Sequence, residues 1–122
     1  VRQLGDLEAE IMDRLWSWGR PATAREVRDD LNKKRPIAYS TVKTVADILY
    51  NKGMLSREKD GRAWLYRATC TRQQYTAARM QDALEDNPDP AGVLLSFVEQ
   101  ISADEVQALR SALRAAKRRS GS

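Results

Sequence analysis

Apolar residues recur at helical spacing through the first third of the chain. They alternate like strands in the middle and return to helical spacing towards the end. Leu7, Ile11, Leu15 and Trp18 mark one face, which Met12 and Trp16 widen, so a first helix is expected with Asp6 as its cap and Gly19 as its stop. Arg20-Pro21 reads as a turn. Thr23 and Glu26 have the spacing of a capping box. They open a second helix with Ala24, Val27 and Leu31 facing inward, closed by Pro36. A third helix begins near Tyr39 or Ser40. Val42, Val45, Ala46 and Leu49 form its buried stripe, and Gly53 ends it as a left-handed cap. Residues 54–59 and 62–68 then alternate around Asp60-Gly61, a strong hairpin signal.

Three helices and a hairpin within 68 residues are the order of a winged helix-turn-helix. Beyond it, Thr71 to Gln74 is a second capping box, opening a helix through about Asp86, and Asn87-Pro88-Asp89-Pro90 breaks the chain. A further helix is expected around Val93 to Ile101. Ser102 to Glu105 opens the last one, in which Val106, Leu109 and Leu113 face one way. The expected fold class is mainly α with a small β-hairpin: a winged-helix domain over 1–69 and a helical domain over 70–122. The latter is too short and too apolar to stand alone by size. Packing on the first domain and self-association are both open to it. Self-association is the expectation, through Leu94, Leu95, Phe97, Val98, Ile101, Val106, Leu109 and Leu113.

The distribution of charge sharpens this division. Net charge is +4, but residues 33–67 hold nine Lys/Arg against three acids, and 70–105 hold Arg72 and Arg79 against seven. The last 17 residues carry five Lys/Arg and no acid. A basic middle suits a polyanion. At 42% hydrophobic and 31% charged, with no apolar run near the ~18 residues of a membrane span, the sequence reads as a cytoplasmic globular protein with no membrane insertion. Cys70 is the lone cysteine, so no internal disulfide forms, and it reads as a bystander thiol. Val1 is not Met, so the native chain is expected to begin earlier.

Catalytic chemistry is missing from the pattern. The chain has no histidine, which removes the commonest general base and metal ligand, and shows no nucleophile constellation or phosphate-binding glycine loop. No enzyme, no metal and no cofactor are expected. The positive signal is for duplex DNA. A recognition helix at about 39–52 would present Tyr39, Ser40, Thr41, Lys43 and Thr44, and a basic wing over 57–64 would present Arg57, Lys59 and Arg62. Lys43 and Thr44 are assigned towards bases, Ser40, Thr41 and Arg62 mainly towards phosphates. Tyr39 either bonds a phosphate or packs beneath its turn. Trp64 and Tyr66 read as sheet-face packing.

Several runs carry a family resemblance. They are Leu4-Gly5-Asp6-Leu7-Glu8, Ile11-Met12, Leu15-Trp16, Thr23-x-x-Glu26-Val27, Ala38-Tyr39-Ser40-Thr41-Val42-x-Thr44, Lys52-Gly53-x-Leu55 and Gly61-Arg62-Ala63-x-x-Tyr66. With Leu94-Leu95-Ser96-Phe97-Val98-Glu99 and Ser102-Ala103-Asp104-Glu105, the chain resembles the penicillinase repressor (BlaI/MecI/CopY-type) family over nearly its whole length. The resemblance implies a homodimeric repressor on dyad-symmetric operators, often with TACA/TGTA-like half-sites. In the antibiotic-responsive branch it further implies a membrane sensor-protease, with cleavage of an Asn–Phe bond in the dimerisation domain. The matching bond here is Ser96–Phe97, without the Asn, and the Cys-x-Cys pairs of the copper-responsive branch are absent. Ile48 stands where the family commonly has Arg, and Lys43 where Met is frequent. The rival readings are a small-molecule-sensing winged-helix regulator and a winged-helix protein-interaction module.

Overall fold

The structure, a computed structural model, describes residues 4–120. The order is α1 (Asp6–Trp18), α2 (Ala24–Leu31), α3 (Tyr39–Asn51), β1 (Leu55–Asp60), β2 (Ala63–Ala68), α4 (Arg72–Glu85), α5 (Pro90–Gln100) and α6 (Ala103–Ser120). This is the winged-helix order followed by three further helices.

The capping chemistry sets most boundaries. Thr23 accepts from the Glu26 amide, and Glu26 accepts from the Thr23 amide. Thr71–Gln74 and Ser102–Glu105 make the same reciprocal pair at the starts of α4 and α6. At α1 the cap is Gly5 rather than Asp6: the Gly5 amide donates to Glu8, and Asp6 is the first helical residue. The α2 helix stops at Leu31, short of Pro36, and a turn over 32–35 follows. At the end of α3, Gly53 at φ 82° donates to the Tyr50 carbonyl and Met54 to that of Leu49, the paired bonds of a Schellman stop.

The two strands pair antiparallel, Leu55 opposite Ala68 and Asp60 opposite Ala63. The turn is therefore Gly61-Arg62, one residue later than the Asp60-Gly61 centre read from the sequence. Gly61 at φ 63° takes the first central position, the signature of a type II′ turn. Ala22, between α1 and α2, exchanges both backbone hydrogen bonds with Tyr66 and so fixes the hairpin to the helices. One core unites these elements: Ile11, Met12 and Leu15 from α1, Ala24, Val27 and Leu31 from α2, Val42, Ala46 and Leu49 from α3, with Ala22, Leu55 and Tyr66. Val45, Trp16, Trp18 and Trp64 pack partly buried against it.

The chain divides into two compact units between Met80 and Gln81, past the 69/70 boundary expected from the sequence. The start of α4 belongs to the first unit because Trp16 donates its indole N–H to the Cys70 carbonyl and its ring lies 5.6 Å from that of Tyr75. Arg72 also pairs with Asp13 of α1. In the second unit, α5 starts on the Asp89 cap with Pro90 in its first turn, and neither α5 nor α6 buries a side chain.

Candidate nucleic-acid interface

The α3 helix starts without a side-chain cap and with no acid in its first turn, so its positive end is left uncompensated. Ser40, Thr41 and Thr44 are exposed there, and their hydroxyls bond no described residue. Tyr39 is 44% exposed instead of tucked beneath the turn, and the Arg25 guanidinium lies 5.7 Å from its ring centre. Arg25 escaped the sequence reading. Its only signal was its place two residues after the capping Thr23, in the first turn of the helix before α3.

Lys43 is on the same helix but is not free. Its ammonium lies 2.6 Å from Asp47, one turn on, and is partly buried. Asp47 also accepts from Arg57 of β1 at 3.1 Å and from the Tyr66 hydroxyl of β2 at 2.6 Å. One carboxylate thus joins the recognition helix to both strands of the wing. Burial works to raise the Asp47 pKa, but the Lys43 and Tyr66 hydrogen bonds and the charges of Lys43 and Arg57 hold it below the ordinary carboxylate value. The hydrogen bond to Asp47 raises Lys43, against a smaller opposing effect of burial. Burial, with the Asp47 bond, raises Tyr66. In the sequence Asp47 lies one turn beyond Lys43, which signals that pair; nothing local signals Arg57 or Tyr66.

The register puts Arg57 opposite Tyr66 and Lys59 opposite Trp64, so all four share a face of the hairpin. Arg57 is held between rings, 4.0 Å from the centre of Tyr50 and 4.4 Å from that of Trp64; Lys59 lies 4.5 Å from Trp64. Arg62 stands at the turn. With Arg25, Thr23, Tyr39, Lys43 and the wing residues Ala63, Trp64 and Tyr66 it borders a cleft of about 340 Å³ between the starts of α2 and α3 and the wing.

Of the nine basic residues at 33–67, Lys33, Arg35, Lys43, Lys52 and Arg57 are ion-paired, with Asp30, Glu10, Asp47, Glu8 and Asp47 respectively. Lys34, Lys59, Arg62 and Arg67 pair with no acid among the described residues. The basic excess is therefore concentrated on fewer side chains than its count suggests. In the second unit, Leu94, Leu95, Phe97 and Leu113 are exposed, and Val98, Ile101, Val106 and Leu109 are partly buried. The Ser96–Phe97 bond lies inside α5 with both residues exposed. Among the described residues no group of acids and Cys70 could hold a metal ion, and no helix is long and apolar enough to cross a membrane.

Comparison with known proteins agrees with this geometry. Residues 4–115 match the penicillinase repressor family. The chain is 41% identical over 116 residues to the transcriptional regulator BlaI of Mycobacterium tuberculosis, covering 93% of this chain and 84% of that one. It is 28% identical over 123 residues to the penicillinase repressor of Bacillus licheniformis, covering 98% and 95%. Among solved structures, the DNA-binding domain of the repressor BlaI matches with a TM-score of 0.53 at 29% identity, over 60% of this chain and 88% of that one. The monomeric form of Bacillus licheniformis BlaI in complex with the blaP half-operator matches with a TM-score of 0.50 at 28% identity, over 62% and 90%.

Proposed function

Because the chain belongs to the penicillinase repressor family of winged-helix transcriptional repressors, we propose that it is a homodimeric repressor reading a dyad-symmetric operator in the cytoplasm. One observation carries the reading: the start of α3 exposes Ser40, Thr41 and Thr44 beside a cleft edged by Arg25 and Arg62. Hydroxyls serve base edges or phosphates, and the arginines serve phosphates. Tyr39, Lys43, Arg57 and Lys59 complete the surface, Arg57 chiefly by holding the wing in place.

The second half of the proposal rests on α5 and α6. Leu94, Phe97 and Val98 follow helical spacing on α5, with Ile101 at its C-cap, and Leu94 and Phe97 remain exposed. Apolar helices of this size are stable when their faces are covered, and a second copy of the chain is the cover proposed here. Two linked half-site contacts then act at high effective concentration. Release of DNA by a membrane sensor-protease cutting Ser96–Phe97 belongs to the same proposal. Because that bond lies inside α5, cutting it requires the helix to open locally.

The test is selection of duplexes from a random pool, followed by titration of the selected duplex at several salt concentrations. The expected result is a palindromic site whose log–log salt slope is several times about −0.9. An affinity indifferent to salt, or a selected pool without dyad symmetry, would sink the reading. Fragments broken at Ser96–Phe97 in cells challenged with inducer are expected on the proteolytic branch; intact repressor on an induced promoter removes that branch alone.

A further inference from the structure

An acidic side chain on a DNA-reading helix should repel phosphates, yet Asp47 sits there, partly buried and engaged three times over. Its partners come from three elements: Lys43 on α3, Arg57 on β1 and Tyr66 on β2. Two of them are cations expected to meet DNA. Arg57 is further immobilised between the Tyr50 and Trp64 rings, whereas Lys43 has no other ionic partner among the described residues.

This geometry has a direct consequence for recognition. A lysine is a compact charge on a four-carbon stem with three rotatable donors, and left free it settles on whichever phosphate is nearest. Such a contact is blind to sequence. Held 2.6 Å from Asp47, Lys43 spends one donor internally and has its others restrained on the helix that also exposes Ser40 and Thr44. The same carboxylate offsets one positive charge at the surface and so weakens the hold on DNA of any sequence.

We propose that Asp47 is the specificity-setting positioning residue of this repressor: by tethering Lys43 to the wing it directs that ammonium to a base edge and suppresses sequence-blind phosphate binding. The proposal rests on the DNA-binding reading above.

The test compares wild type with Asp47→Asn, alone and combined with Lys43→Met. The probes are the duplex selected by the wild type and a scrambled duplex, each titrated across salt. Asp47→Asn is expected to bind the scrambled duplex more tightly and to steepen its salt slope by about 0.9, one more phosphate's worth of released counterion. The selected-to-scrambled affinity ratio is expected to fall by about tenfold, the worth of one good base contact. In the Lys43→Met background, Asp47→Asn should leave that ratio where Lys43→Met alone put it. A purely structural brace would lower the ratio with or without Lys43, and that result overturns the proposal, as does an unchanged ratio in Asp47→Asn. If Asp47→Asn does not fold, Asp47→Glu serves in its place. Keeping the charge on a longer arm, it should retain the wild-type slope and lose selectivity, and a wild-type ratio there overturns the proposal. Wild-type protein that binds neither duplex removes the DNA reading itself; wild type that binds while the variants match it removes this inference alone.

Discussion

Arg57 and Arg62 look interchangeable as two basic residues of one hairpin, but their surroundings differ. Arg57 is opposite Tyr66, between two aromatic rings and against Asp47. Arg62 stands at the turn, on the rim of the cleft, in no ion pair with a described residue. Arg62→Ala should therefore weaken every duplex alike and make the salt slope shallower by about 0.9, with the unfolding midpoint unchanged. Arg57→Ala should instead lower stability by about 1 kcal/mol through its lost ring contacts, read as a shifted urea midpoint. If the two variants behave alike in both measurements, the assignment is wrong. No local pattern separates these arginines. The distinction comes from strand register, and the turn falls one residue later than the Asp60-Gly61 pair suggests. The Asp47 ties to the wing were equally hidden, because Arg57 and Tyr66 lie 10 and 19 residues away on the strands.

Elements were far more legible than contacts, for a physical reason: their ends are set by neighbours in sequence. The boxes at Thr23, Thr71 and Ser102 each need only a residue three positions on, and all three close as read. The start of α1 was misread by one position, because the glycine cap has no side chain to announce it and Asp6 does. The compact units divide between Met80 and Gln81, later than 69/70, because Trp16 and Tyr75, 59 positions apart, hold the start of α4 on α1. The end of α3 tests how much rests on a single local device. Gly53 at φ 82° has open space around it, so Gly53→Ala meets no clash and feels only the left-handed backbone. A loss of about 1–2 kcal/mol is expected, measured by chemical denaturation, with Asn tolerated better than Ala. Ties between elements give a second prediction. The Lys52 hydrogen bond lowers Glu8, the Arg35 hydrogen bond lowers Glu10, and the Thr23 amide lowers Glu26, each against opposing burial, as at Asp47. Carboxylates depressed in the fold contribute stability above their unfolded pKa and lose it as pH falls through the folded one. Lys43, raised, contributes below its unfolded pKa and loses it as pH rises through a value above 10.5. The urea midpoint should therefore be flat near neutrality and fall below about pH 4 and again in strong alkali; a midpoint that rises on acidification contradicts this.

At the scale of the whole molecule the chain forms two compact units, and the separate tasks proposed for them can be measured. The core that positions the reading head runs from Ile11 to Tyr66 and lies wholly within the first unit. The second unit offers instead an apolar surface on α5, where Leu94 is 50% exposed. An aspartate at that position costs little in an isolated protomer, whose side chain already meets water. In an apolar seam between copies it would bury a charge with no partner. Leu94→Asp should therefore shift the chain to a monomer in sedimentation at micromolar concentration and leave the unfolding of the first unit untouched. Its affinity for a single half-site should stay at the wild-type value. Affinity for the full palindrome should fall by about 10²- to 10⁴-fold, the gain that linkage of two sites supplies. Were half-site and palindrome affinities to drop together, the substitution would be acting on the reading head and the two tasks would not be separable. Were neither to drop, with the variant still a dimer, the seam would lie elsewhere than on this face of α5.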